Sequence, residues 1–176
     1  MNLIISFSGR PHGNCDDVLE YIAKKEDTTI YFRNLQVHDC SNCTYECFEG
    51  VCKYRGDEIY SLYDSMVDYE KIFLIVPMYC GNPASLYFKF HERSQDYFMH
   101  NEKNYEKIVS KLYIIGIYGD RRETPDFLPC FEKWFVGFPC KNRVLGIERH
   151  RYEQKMNDKI VCVDEVRNQI SNFIRQ

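Results

Sequence analysis

Four cysteines, Cys40, Cys43, Cys47 and Cys52, fall in the pattern C-x2-C-x3-C-x4-C. Thiolates are soft, charged ligands, and four on one short segment can satisfy a cubane [4Fe-4S] cluster or a tetrahedral zinc ion. Zinc sites more often split into two pairs separated by a longer spacer. The compact spacing therefore leans towards iron-sulfur, with zinc and a metal-free loop as the open alternatives. Gly50, inside the last gap, lets the chain fold back towards its first thiol. A second stretch, Ser8-Gly9-Arg10-Pro11-His12-Gly13-Asn14-Cys15, lies between an apolar run and a helical pattern. Small residues permit a tight turn, and the N–H groups and dipole of a helix start attract an anion such as phosphate. Asn14 suits a helix N-cap, and Ser8 and Arg10 can donate to phosphate oxygens. The same residues also suit an ordinary strand-to-helix turn.

Two further loops carry candidate residues. Val76-Pro77-Met78-Tyr79-Cys80-Gly81-Asn82-Pro83 is rich in turn formers, and Tyr79 offers a flat apolar face with a polar tip, suited to packing against an aromatic ring. Gly116-Ile117-Tyr118-Gly119-Asp120 leaves an apolar run through glycines that permit close backbone approach to a ligand. His12, His38, His91, His100 and His150 are dispersed without ligand spacing, and no serine-histidine-acid set can be inferred.

The elements that must position these loops are legible as periodicity. Apolar runs at Leu3 to Phe7, Thr29 to Phe32, Lys71 to Val76, Leu112 to Ile117 and Val144 to Ile147 predict five buried strands. Helical spacing joins Cys15, Val18, Leu19 and Ile22, then Ile59, Leu62, Tyr63, Met66 and Val67. Leu86, Phe90 and Tyr97 follow the third run, an aromatic stripe of Phe127, Phe131, Trp134 and Phe135 the fourth, and Val166, Ile170, Phe173 and Ile174 close the chain. Uniformly apolar strands alternating with helices predict a parallel sheet covered on both faces, an α/β fold of doubly wound order 2-1-3-4-5. Ligands bind such sheets outside the carboxyl ends of the strands, where the order reverses. The segment from Asn34 to Gly56, which holds the cysteine cluster, is read as one irregular excursion from a single domain over residues 1–176.

Composition narrows the function classes. With 44% hydrophobic and 28% charged residues, the chain has too much apolar material for disorder and no run long enough to span a bilayer. A net charge of -3 argues against a nucleic-acid surface, which needs a concentrated basic patch. The opening Met1-Asn2-Leu3-Ile4-Ile5-Ser6 lacks a basic leader and reads as a first strand, and nine unevenly placed cysteines point away from a secreted disulfide scaffold. A cytoplasmic protein without membrane or nucleic-acid partners is expected.

The Ser8 to Cys15 loop resembles the first loop of the NADPH-dependent FMN reductase family and, within it, the iron-sulfur flavoproteins, approximately G-S-P-R-x-x-G-N-[ST]. It matches at Ser8, Arg10, Gly13 and Asn14 and departs at Phe7, Gly9 and Cys15. The segment from Pro77 through Tyr79 to Ser85 looks like the family's P-x-Y-x-x-x-x-x-S, Lys89, Phe90 and Arg93 resemble a following helix read as scaffold, and the four cysteines resemble the iron-sulfur motif with one extra residue between the second and third thiols. The resemblance runs in order over Leu3 to Gly119, about two-thirds of the chain. It implies FMN with its phosphate at Ser8, Arg10, Gly13, Asn14 and the Cys15 backbone. It also implies an isoalloxazine beside Pro77, Met78, Tyr79, Cys80, Gly81 and Asn82, with Gly119 and Asp120 along its other edge. The implied activity is that of an FMN-dependent oxidoreductase or electron carrier, fed by a reduced nicotinamide or a ferredoxin-type donor and assembled as a homodimer or homotetramer. The rival is a non-enzymatic redox-sensing or partner-binding module with a zinc-bound or metal-free cysteine loop.

Overall fold

The computed structural model describes residues 1–41, 43–50, 52–119, 126–152, 155 and 158–176. Strands β1 (Leu3–Ser6), β2 (Thr28–Tyr31), β3 (Ile72–Tyr79), β5 (Leu112–Tyr118) and β6 (Val144–Glu148) pair in parallel in the order β2-β1-β3-β5-β6. The sheet has six strands, where five were expected, because the two-residue β4 (Asn82–Pro83) pairs antiparallel with the end of β3. Cys80 and Gly81, at φ 48° and 79°, turn the chain between them. Positive φ at both central residues matches the right-handed twist of the strands it joins.

The strands are apolar throughout because both faces are covered. Side chains alternate across the sheet, so Leu3, Ile5, Ile72, Leu74, Val76 and Ile114 face one core, shared with α2 (Glu58–Met66) and α3 (Ser85–Met99). Ile4, Phe73, Ile75, Ile115, Ile117 and Ile147 face the other, shared with α1 (Asn14–Ile22) and α6 (Asp164–Ile174). The aromatic stripe is split: Phe127 and Phe131 lie in α5 (Phe127–Glu132), while Trp134 lies in the 3-10 turn that follows and donates its indole N–H to Tyr87 Oη (2.8 Å). Helix α4 (Glu102–Lys111) was not expected, since its buried residues are only Ile108 and Val109. Its acidic first turn and basic last turn are the signal that could have found it. No helix among the described residues is long and apolar enough to cross a membrane.

Gly116 and Gly146 pair across β5 and β6. A Cβ on Gly116 would lie 2.9 Å from both Phe127 Cε1 and Leu128 Cδ2 and 3.2 Å from Phe131 Cε2. The glycine thus makes room for α5 on the sheet, and the expectation that it opens the backbone to a ligand is corrected.

The cysteine-bearing excursion is held by side chains of α3. Arg93, 2% exposed, donates to Asp57 Oδ2 (2.6 Å) and to the carbonyls of His38 (2.9 Å) and Tyr54 (3.1 Å), and its Nη2 lies 3.6 Å from Cys52 Sγ. Lys89 reaches the Val37 carbonyl (3.2 Å) and Asp39 (2.6 Å). Asp57 also meets the His38 ring at Nδ1 (2.7 Å) and accepts its backbone N–H (2.9 Å). Burial pushes the Asp57 carboxyl up, but hydrogen bonds from His38 and Arg93 outweigh this and hold it below its ordinary value.

Two sets of outcomes follow from this packing. Gly116→Ala should lower stability by about 1–3 kcal/mol, the usual cost of overpacking, read as a lower urea midpoint at unchanged slope. Gly146→Ala should cost less, because the atom its Cβ would meet most closely, Leu128 Cδ1, ends a flexible side chain. Arg93→Ala strands a buried carboxylate and should cost about 3–5 kcal/mol. Asp57 contributes stability in full above its unfolded pKa of about 3.9, and this is lost as pH falls through the lower folded value. Asp57→Asn should therefore flatten the acid limb of the stability curve below about pH 4, which urea unfolding between pH 5 and pH 2 measures.

Candidate functional site

Beneath the first loop lies one buried carboxylate. Asp16, 1% exposed, accepts from Ser6 Oγ (2.7 Å), from the His12 backbone N–H (2.9 Å), and from Arg33 through Nη1 (3.0 Å) and Nη2 (2.9 Å). Its reach back to His12 resembles a capping box and holds that residue at φ 55°. Left-handed backbone is costly for a side-chain-bearing residue, so the contact fixes a turn that the sequence alone does not favour. Arg33 also donates to the Ser8 carbonyl (3.2 Å). The Ser8 hydroxyl donates to the Arg10 carbonyl (2.8 Å) and accepts from its N–H (3.2 Å). Neither Asp16 nor Arg33 was singled out from the sequence, where Asp16 reads as an ordinary first-turn acid.

The N-cap of α1 is Gly13, with no side-chain cap. The expectation that Asn14 caps the helix is therefore corrected. Asn14 is the first helical residue, and its Oδ1 accepts the backbone N–H of Ile160 (2.9 Å). With no capping side chain, the helix start is open to an anion. Cys15 is buried, and desolvation, aided by Asp16, pushes its thiol up, so it offers the site backbone and not thiolate.

A cavity of about 490 Å³ opens at the carboxyl ends of β1, β3 and β5, lined from the first loop by Ser8, Arg10, Gly13, Asn14 and Cys15. Pro77, Met78 and Tyr79 line it from β3, and Gly119 lines it after β5. The structure thus brings together nine of the residues selected from sequence. Cys80, Gly81 and Asn82 form the hairpin tip and do not line the cavity, and Asp120 lies outside the described residues. Tyr79, 51% exposed, stands on the rim of this cavity.

The far wall was not foreseen. Arg149, His150, Asp158 and Lys159, all beyond β6, line the same cavity. Arg149 and His150 donate their backbone N–H groups to the carbonyls of Tyr118 (2.9 Å) and Gly119 (3.1 Å). Lys159 Nζ meets Asp17 Oδ1 at 2.6 Å. Because β6 packs beside β5 while α6 shares a core with α1, described residues at both ends of the connection between them, Arg149, His150, Asp158 and Lys159, lie at the carboxyl edge of the sheet. The clue available in sequence was the basic content of this connection, which has no periodicity to place it.

The cysteine excursion gives a different result. Cys40, Cys43, Cys47 and Cys52 all line one small cavity of about 40 Å³, together with Arg93, Glu92 and Asp96. No three His, Cys, Asp or Glu side chains among the described residues are arranged to hold a metal ion, so the expected ligand set is not preformed. Burial and the Glu92 carboxylate push the Cys40 thiol up, and burial with Asp96 does the same at Cys47. The excursion is tied to α3 by Arg93 and Lys89, with Asp57 between Arg93 and His38.

No protein-family model and no curated protein matches this sequence. Among solved structures, the chain is similar to the Trp repressor binding protein from Bacillus subtilis, at TM-score 0.66 and 17% identity over 99% of this chain and 98% of that one. It is similar to the apo form of the NADH:FMN oxidoreductase EmoB, at TM-score 0.61 and 12% identity over 99% and 86% of the two chains. FerB, an NAD(P)H:(acceptor) oxidoreductase from Paracoccus denitrificans, matches at TM-score 0.55 and 9% identity over 99% and 94%. At these identities the likeness establishes the fold, a flavodoxin-like α/β sheet.

Proposed function

We propose that the protein is an FMN-dependent oxidoreductase that takes reducing equivalents from a reduced nicotinamide. The observation that carries this reading is the cavity itself. Its volume of about 490 Å³ lies within the usual range for small-molecule sites, and it sits at the strand ends where the sheet order reverses. An uncapped helix start lies at one side and an aromatic rim at the other. The oxidoreductases among the similar structures, EmoB and FerB, support both the flavin and the nicotinamide donor.

The residues present fit the cofactor. The α1 start and Arg10 suit a phosphate, Tyr79 suits one face of a planar ring, and Ile117, Met78 and Pro77 offer apolar surface between. FMN, when bound, supplies the hydride-accepting chemistry. The chain's part is to anchor the phosphate, orient the ring against Tyr79 and the Gly119 backbone, and shield one face of the ring from water. No side-chain acid or base is required for that role. The open side of the cavity next to Tyr79 supports a homodimer or homotetramer in which a second copy covers it. The four thiols do not converge as a ligand set, so no step is routed through an iron-sulfur cluster, and the cysteine pocket stands outside the proposed reaction.

Titration of flavin-free protein with FMN should quench flavin fluorescence at one equivalent per chain. At a hundredfold excess over Kd, FMN should stabilise the fold by about 2.7 kcal/mol. Tyr79→Ala should weaken FMN severalfold and leave the unliganded melting temperature unchanged, because the side chain is half exposed. The bound protein should oxidise NADH or NADPH in the presence of an acceptor. Absence of FMN binding would overturn the proposal.

A further inference from the structure

The start of α1 carries two acids, Asp16 and Asp17, directly behind the place where a phosphate would sit. A phosphate monoester beside two uncompensated carboxylates would be repelled, since like charges at short range cost several kcal/mol in a partly desolvated site. Asp16 is neutralised from below by Arg33 at 2.9 Å. Asp17 lines the cavity, is 7% exposed, and is met by Lys159 Nζ at 2.6 Å from 142 residues further along the chain. The lysine's main chain is fixed at the same spot, because the next residue, Ile160, donates its N–H to Asn14 Oδ1 at 2.9 Å.

An ammonium has three donors, and the bond to Asp17 uses one. The Lys159 side chain is 60% exposed and lines the cavity mouth, so its remaining donors are available to an incoming anion. The Ser8 hydroxyl is engaged with Arg10, so the cationic side chains that a dianion at the helix start would meet are Arg10 from the first loop and Lys159 from the far wall, both of which line the cavity. Asp158 also lines the mouth, but it accepts the Lys155 N–H (3.0 Å) and is not paired with Lys159 in the structure.

We propose that Lys159, delivered by the β6–α6 connection, is a phosphate ligand of this cavity that bridges Asp17 and the phosphate monoester of FMN. This rests on the flavin reading above. In the proposed site, Lys159 cancels the charge of Asp17 and supplies a cation to the phosphate, while Arg33 cancels Asp16 from the other side. The hydrogen bond to Asp17 raises the lysine's pKa, so it stays cationic through neutral pH. The phosphate site is then composite, half of it from the first loop and half from the last connection.

The test compares FMN with riboflavin, which lacks the phosphate, on wild-type protein, Lys159→Gln and Lys159→Arg. Lys159→Gln should raise the Kd for FMN about tenfold or more, the scale of one hydrogen bond to a charged group, and change the Kd for riboflavin by less than about twofold. Lys159→Arg should restore most of the FMN affinity. The salt dependence of FMN binding should be shallower in Lys159→Gln, because one screened attraction is gone. Equal effects on FMN and riboflavin would show that Lys159 merely supports the fold, and unchanged FMN affinity would show that it does not touch the phosphate. Either result overturns the proposal while leaving the flavin reading intact. A raised KM for NADPH with unchanged FMN affinity would move Lys159 to the donor's phosphates and also overturn it. Failure of the wild-type protein to bind either flavin would sink the flavin reading, and this proposal with it.

Discussion

A carboxylate taken out of water must have every lone pair engaged or it will not stay charged, and Asp16 meets that requirement in a way that shapes the cavity. Its partners are a strand residue, Ser6, a loop amide, His12, and both Nη atoms of Arg33 from the turn after β2. Three separate pieces of chain are therefore fixed relative to one another. The loop from Ser8 to Gly13 takes its form from this hub, including the left-handed backbone at His12.

The same device recurs on the opposite face of the sheet. Asp57 and Arg93, 8% and 2% exposed, pin the long excursion after β2 to helix α3. Each arginine-carboxylate pair ties an irregular segment to a regular one, adding to the apolar contacts that residues such as Leu35 and Val37 make with the core. The excursion's thiols line one small pocket beside these anchors, where burial pushes the Cys40 and Cys47 thiols up.

The cavity draws on both ends of the sequence. Parallel strands place all their carboxyl ends on one edge, so loops distant in sequence meet there. Gly116 and Gly146 seat α5 against β5 and β6, while Arg149 and His150 close the strand end beside Gly119 through their backbone N–H groups.

The sequence by itself determined the five parallel strands, five of the helices and the strand order, since those follow from apolar periodicity, which is local. It also identified the residues of three loops as a common site, and nine of them meet at one cavity. Helix α4 escaped because so little of it is buried, and β4 because two residues carry no period. Asp16, Arg33 and Lys159 escaped for another reason. Their roles are set by partners 17 and 142 positions away, and a charged residue looks alike in sequence whether it is solvated or paired. For the four cysteines, spacing along the chain supplied the ligand types, while the packing against α3 brings them to one pocket without arranging three of them as a ligand group. Ligand convergence is a matter of direction and distance, which chain spacing leaves free until tertiary contacts fix the backbone.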